Sequence, residues 1–303
     1  MKQFYCNKHV LITGGSGFIG SHLVEKLVEL GAQVAVIDNL STGFLHNIAA
    51  VTEKITFLEE SITDFQVCLN ATKQKDIIFH LAAQTSVPES VQKPNECFTT
   101  NVRGTFNLLE AARINNVQRF AFSSSAAVYG AQKEECSENM TCKPTSPYGT
   151  SKRIGELLCQ EYAHNYGLQT ICLRYFNVFG TRQNPHGTYS SAVAKFTDRI
   201  KNNKQITLFG DGQQTRDFIS VHNVVKANLL CGMQKKMHGQ PINIATGKSI
   251  SLLELIKKIK KEFPNYSKTI KHKPERKGDI KHSRANTSLL EKIYNQQIKE
   301  NYL

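Results

Sequence analysis

The sequence predicts an α/β protein built on a doubly wound parallel sheet, with a smaller C-terminal lobe. Three observations carry this expectation. A glycine-rich turn at 14–20 joins a short apolar run to a stretch of helical periodicity. Five further apolar runs, at 33–37, 55–58, 77–81, 119–123 and 170–174, alternate with helical stretches such as 105–114 and 154–166, the pattern of a parallel sheet. After Gly180 the alternation fades into loops, including 181–187 and Phe209-Gly210-Asp211-Gly212, with a late strand and helix within 216–231.

Taken in order, 9–13 is the first strand. Leu23, Val24, Leu27, Val28 and Leu30 then recur at helical spacing as far as Gly31, and 33–37 closes a βαβ unit on Asp38. In Gly14-Gly15-Ser16-Gly17-Phe18-Ile19-Gly20, Gly14 permits the tight turn. Gly17 lets backbone approach a pyrophosphate at the helix N-terminus, and Gly20 lets helix pack closely on strand. An acid at the end of the second strand accepts hydrogen bonds from ribose hydroxyls and repels a 2′-phosphate, so Asp38 predicts NAD over NADP. Strand, turn, helix and acid together predict a Rossmann NAD-binding domain. Ligands of such sheets bind beyond the carboxyl ends of the strands, where His80-Leu81-Ala82-Ala83, Ser123-Ser124-Ser125 and Tyr175-Phe176-Asn177 fall.

The next helix carries the chemistry. Ser146 can cap it and Pro147 suits its first position, which puts Tyr148 in the entry turn, where the helix dipole favours a phenolate. Lys152 follows at i+4 on the same face, so its ammonium is expected to favour the charged phenol and make Tyr148 a usable base. A second Tyr-x-x-x-Lys, Tyr129 to Lys133, has Gly130 and Glu134-Glu135 beside it and reads as loop. The NAD-binding domain is assigned to 1–177, with 215–239 returning to it, and the second lobe to 178–214 and 240–303.

Bulk properties narrow the classes. With 40% hydrophobic and 21% charged residues in 303, the chain is an ordinary globular composition and excludes disorder. The first eight residues are polar and lead into a strand, and no run nears the roughly 18 apolar residues of a membrane span. Eight cysteines without a Cys-x-x-Cys pair read as reduced thiols of a cytoplasmic protein. The net charge is +13, and residues 251–284 hold eleven Lys/Arg against four Asp/Glu. That face can attract a polyanion, but no aromatic-interleaved basic motif accompanies it, so nucleic acid is not an expected partner.

These motifs, in this order, resemble the extended short-chain dehydrogenase/reductases of the NAD-dependent epimerase/dehydratase family, most like UDP-glucose and UDP-N-acetylglucosamine 4-epimerases. The resemblance spans nearly the whole chain: 14–20, Asp38 to Gly43, His80 to Gln84, Asn101 to Thr105, Ser123 to Gly130, Tyr148 to Lys152, Arg174 to Gly180, Gly210-Asp211-Gly212 with Arg216-Asp217-Phe218, and Arg276 to Asp279. It implies NAD contacts by Gly14, Gly17, Phe18, Ile19, Asp38, Asn39, Thr42, Gly43, Ser61, Ile62, Leu81, Ala82, Ala83, Thr85, Asn101, Ser123, Tyr148, Lys152 and Phe176. Nucleotide-sugar contacts are implied for Ser125, Asn177, Ala192, Phe209, Arg216, Arg276, Asp279 and Ser283.

In such enzymes Tyr148 would take the proton of the sugar 4-hydroxyl as hydride passes to NAD, with Ser125 bonded to the reacting oxygen and Lys152 holding the ribose. The 4-keto sugar would turn over and receive the hydride on its other face. Dehydratases and decarboxylases of the family place an acid just after the catalytic Ser or Thr; Ala126-Ala127 stand here, which leaves plain epimerisation. Ser283 stands where the resemblance puts a gate residue of the sugar pocket, and its small side chain implies room for N-acetyl groups. Three departures stand out: Ser61 replaces a usual adenine-contacting aspartate, Val221-His222-Asn223 replaces an acidic pair, and the end at Leu303 implies a shortened C-terminal helix. A homodimer through helices near 100–114 and 148–166 is also implied. Two alternatives stay open: another nucleotide-sugar epimerase, such as one acting on UDP-glucuronate, or a non-catalytic NAD-binding protein.

Overall fold

The computed structural model describes residues 1–132, 134–184, 191–234, 238–275 and 281–294. Its centre is an all-parallel sheet of seven strands: β1 (His9–Thr13), β2 (Gln33–Ile37), β3 (Ile55–Leu58), β4 (Ile77–His80), β5 (Arg119–Ser125), β6 (Gln169–Tyr175) and β10 (His238–Ile244), in the order β10-β6-β5-β4-β1-β2-β3. Parallel strands need crossovers, which here are helices that cover both faces, so the strands must be apolar on both sides. Hence Val10-Leu11-Ile12, Ile77-Ile78-Phe79 and Phe120-Ala121-Phe122 are buried without alternation. Val10, Ile12, Val36 and Phe79 meet the helices Phe18–Glu29 and Val221–Gly232, while Leu11, Ile78, Phe120 and Phe122 meet Phe65–Ala71, Gly104–Ile114 and Pro147–Tyr166. Chain order reverses between β1 and β4, which opens a crevice at their carboxyl ends.

A smaller assembly follows Tyr175. β7 (Asn177–Phe179), β9 (Thr215–Ser220) and β11 (Ser249–Ser251) form a three-stranded sheet, and β8 (Ile206–Phe209) pairs in parallel with β12 (Ile270–Lys273). The helices Ala192–Lys201 and Leu252–Glu262 pack on them around Phe179, Phe196, Ile206, Phe218 and Ile256. The second of these opens on a capping box, Ser251 with Glu254.

The structure departs from the sequence reading in three places. β5 runs on to Ser125, because Ser124 and Ser125 pair with Arg174 and Tyr175 of β6. The polar lead-in contains a short helix, Lys2–Tyr5, whose buried Tyr5 donates to Leu229 O at 2.7 Å; four residues are too few to show a helical period. β10 lies in the large sheet although residues from 240 onward were assigned to the smaller lobe, and β9 lies in the small sheet although 215–239 was assigned to the large one. Tyr129 of the rival Tyr-x-x-x-Lys ends a 3-10 turn, Ala126–Tyr129, and donates to Asn243 Oδ1 at 2.6 Å inside the protein. Its partner Lys133 is outside the described residues. No helix among the described residues is long and apolar enough to cross a membrane.

Candidate active site

A cleft of about 950 Å³ lies over the carboxyl ends of the large sheet, and its walls hold most of the residues singled out in the sequence. Gly14, with φ of +71°, turns the chain sharply after β1, and a Cβ there would stand 2.7 Å from Ala82 N. At Gly20 a Cβ would meet Gly14 O at 2.1 Å, so the turn and the first helix can touch only through glycine. Gly17 is the N-cap of that helix and no side chain caps it, whereas Asp64, Ser86, Ser146, Ser191, Ser220 and Ser251 each cap theirs. The helix start beside Phe18 and Ile19 therefore faces the cleft with its backbone donors unmasked by a side chain.

Asp38 closes β2 at the cleft edge. Its carboxylate accepts from Ser16 N and Leu40 N, both at 2.9 Å, which fixes its orientation against the glycine turn. Asn39, Thr42, Gly43, Ser61 and Ile62 continue this wall, and Ser61 Oγ is turned toward Thr63 Oγ1 at 2.9 Å. Leu81, Ala82, Ala83 and Thr85 form the floor.

Behind that floor stands His80, whose role the sequence did not disclose. Thr105 Oγ1 donates to Asn101 O at 2.6 Å and so accepts from His80 Nε2 at 2.9 Å; the ring's Nδ1 then accepts from Thr13 Oγ1 at 2.7 Å, and Thr13 Oγ1 accepts from Ala82 N at 3.2 Å. One neutral tautomer satisfies the chain. Complete burial, with Lys152 adding repulsion, pushes the imidazole down to about 3. Asn101 is also behind the wall: its amide is taken up by Gln84 N at 2.8 Å, Gln84 O at 3.0 Å and Ser151 Oγ at 3.0 Å. It therefore shapes the cleft through the Gln84 backbone.

Ser123, Ser125, Tyr148, Lys152 and Phe176 come together at the other end. Ser146 Oγ accepts from Gly149 N at 3.1 Å and Pro147 occupies the first turn, so Tyr148 emerges at the helix start as its caps require. Ser125 lines the cleft with Tyr148 and draws its phenol's pKa down, and Lys152 Nζ donates to Ser123 O at 2.8 Å while lying 5.9 Å from the phenol ring. The electrostatics differ from the sequence expectation. Burial raises the phenol's pKa, with Ser125 opposing, while the ammonium is held against a strand carbonyl. Burial likewise lowers Lys152, to about 8.

Two short helices that the sequence reading passed over, Val87–Gln92 and Pro94–Phe98, add Glu89, Asn95 and Glu96 to the cleft. Their prolines at the first turns were the available signal. Of the remaining site residues, Asn177, Ala192, Phe209, Arg216 and Ser283 sit on the small lobe rather than on the cleft wall. Asn177 Nδ2 donates to Asp217 O at 2.9 Å and Ser283 N to Thr215 O at 3.2 Å, so Asn177, Arg216 and Ser283 gather around β9. Arg276 and Asp279 lie outside the described residues.

Residues 10–245 match the NAD dependent epimerase/dehydratase family. The chain belongs to that family. Among its relatives, the UDP-glucose 4-epimerase of Mycolicibacterium smegmatis is 37% identical over 283 residues, covering 92% of this chain and 90% of the relative. Among solved structures, the UDP-N-acetylglucosamine 4-epimerase of Methanobrevibacter ruminantium, in complex with UDP-N-acetylmuramic acid, aligns with a TM-score of 0.92 at 38% identity over 98% of this chain and 94% of that one. The Thermus thermophilus UDP-glucose 4-epimerase in complex with NAD aligns with a TM-score of 0.88 at 33% identity, over 97% and 95%.

Membership of the epimerase/dehydratase family brings NAD as cofactor, and the cleft fits it. Gly14 and Gly20 leave a cradle that side chains would fill, Asp38 presents acceptors at the ribose edge, and Gln84 Oε1 is buried at the wall without a partner among the described residues.

Proposed function

We propose that this epimerase/dehydratase family member inverts C4 of a UDP-hexose, including UDP-GlcNAc and UDP-GalNAc, with NAD held by the large sheet and the nucleotide sugar by the lobe around β9. The observation that carries the reading is the Ser125–Tyr148–Lys152 cluster at the cleft, followed by Ala126 and Ala127 where elimination chemistry needs an acid. Gly14, Gly17 and Asp38 would hold the dinucleotide, with Lys152 against its ribose. When bound, NAD would supply the hydride acceptor and donor that inversion at the sugar carbon needs.

Tyr148 takes the hydroxyl proton and gives it back. Its raised pKa in the ligand-free protein makes cationic neighbours decisive: the phenol becomes a base when Lys152 and the positive cofactor are both close. Ser125 donates to the same oxygen and aligns it. Arg216 supplies a fork-shaped donor for diphosphate, and the small Ser283 leaves space at the sugar. Exposed Phe106, Ile114, Leu157 and Tyr166 on the helices Gly104–Ile114 and Pro147–Tyr166 support a homodimer through that face; Leu157→Glu is expected to leave a monomer in sedimentation.

Anomeric-proton NMR with UDP-Glc, UDP-Gal, UDP-GlcNAc and UDP-GalNAc, without added reductant, tests the reading. Interconversion within both pairs is expected, and Tyr148→Phe should abolish it while NAD stays bound. Turnover of neither pair, or full activity of Tyr148→Phe, refutes it.

A further inference from the structure

Glu156 lies one helical turn beyond Lys152 and two beyond Tyr148, yet it is completely buried under the site. Its carboxylate accepts from Ser124 Oγ at 2.6 Å, from Arg174 Nε at 2.7 Å and Nη2 at 2.8 Å, and from Arg153 Nη1 at 2.9 Å. Ser124 is the middle residue of a strand end with working neighbours on both sides. Ser123 O holds Lys152 Nζ, and Ser125 faces the same cleft as Tyr148, whose phenol pKa it draws down. The strand that carries Ser125 and the helix that carries Tyr148 are thus tied together at Glu156.

We propose that Glu156 is a positioning residue of this active site: the Ser124–Glu156–Arg174 lock sets the distance between the Ser125 hydroxyl and the Tyr148 phenol. The inference rests on the catalytic reading of Ser125 and Tyr148 given above. Two parallel charge-assisted bonds from a planar guanidinium fix the carboxylate in position and orientation, and a third short bond transmits that position to the strand. Arg174 is itself held, with its guanidinium 4.7 Å from the Tyr129 ring and Nη2 directed at Cys142 Sγ at 3.2 Å. Burial alone would raise the Glu156 pKa, but Arg174, Ser124 and Arg153 outweigh it and hold the carboxyl below its usual value, so the lock stays charged. The titratable and charged groups facing Glu156 are Arg174, Arg153, Cys142 and Cys172, and those facing the phenol are Lys152, Cys97 and Tyr175. None of them is a carboxylate that could take Glu156's place.

The test uses NAD-loaded protein as wild type, Glu156→Gln, Ser124→Ala and Tyr148→Phe, the last serving as the blank that isolates the Tyr148 phenol in ultraviolet difference titrations. In Glu156→Gln and Ser124→Ala the phenol is expected to titrate about one unit higher, because a displaced Ser125 stabilises the phenolate less. The kcat near neutrality should fall about tenfold with KM changed less than about twofold, and recover as pH rises. A phenol that titrates as in wild type, or a loss carried by KM alone, overturns the proposal even if melting temperature drops. Should Glu156→Gln fail to fold, Ser124→Ala decides, since it leaves the Glu156–Arg174 pair intact. If wild type converts no UDP-hexose, the proposed function falls, while the phenol titration, which needs no substrate, still judges Glu156.

Discussion

Lys152 shows at residue scale how a site can be built against stability. It is 4% exposed, its ammonium donates to Ser123 O and lies over the faces of Phe122 and Tyr148, and no carboxylate is paired to it among the described residues. Burial places its folded pKa at about 8 against 10.5 for the free side chain. Below pH 8 both states carry the proton and the native state bears the full cost of an unpaired buried charge. Between about 8 and 10.5 the unfolded chain binds more protons, so stability rises with pH across that window. Lys152→Met should therefore melt higher than wild type at pH 7 in the absence of NAD, by roughly 3 kcal/mol at most, and lose the advantage above pH 10.5. The same variant should be inactive. Melts at the two pH values, with the turnover assay, check both halves.

At the scale of elements, Asp217 joins the strand of Arg216 to the loops that flank it. It is completely buried on β9, and its carboxylate accepts from Thr246 N at 2.9 Å, Thr246 Oγ1 at 2.7 Å and Gly247 N at 2.9 Å, with Ala285 N at 3.5 Å. Burial pushes its pKa up, and these donors oppose that. The loop after β10 and the segment beyond Ser283 are thereby held against β9. Asp217→Asn turns one acceptor into a donor facing backbone N–H groups, so the cost should be about 1–3 kcal/mol. Under the proposed function the damage falls on nucleotide-sugar binding: KM should rise while kcat with bound NAD stays within about threefold, read from steady-state kinetics and urea unfolding. A kcat loss without a KM change would remove the β9 lobe from substrate binding.

For the whole molecule, His80 links acid stability to the join between halves of the large sheet. Its ring spans Thr13 on β1 and Thr105 on the helix Gly104–Ile114, and it stays neutral because burial lowers it from 6.5 to about 3. Its contribution is complete above pH 6.5 and is lost as pH falls toward 3, by about 2 kcal/mol between pH 7 and 5. His80→Gln should be less stable than wild type at pH 7 but lose less on acidification. Urea midpoints at pH 7 and 5 would show it, and parallel losses in both proteins would contradict it.

Legible in the sequence were the parallel sheet, the glycine turn, and the placing of Asp38 and Ser125 at strand ends and of Tyr148 and Lys152 on one helix face, because each is written in local periodicity, caps or spacings. Only the tertiary structure decided what surrounds them. His80 meets Thr13 across 67 residues, Asp217 meets Thr246 across 29, and Glu156 meets Ser124 and Arg174 across 32 and 18, separations that no local pattern records. The phenol's pKa was likewise decided in three dimensions. Spacing put an ammonium on the helix face of Tyr148, but burial raised the phenol and a strand carbonyl claimed the ammonium, and desolvation depends on every element that closes over a group.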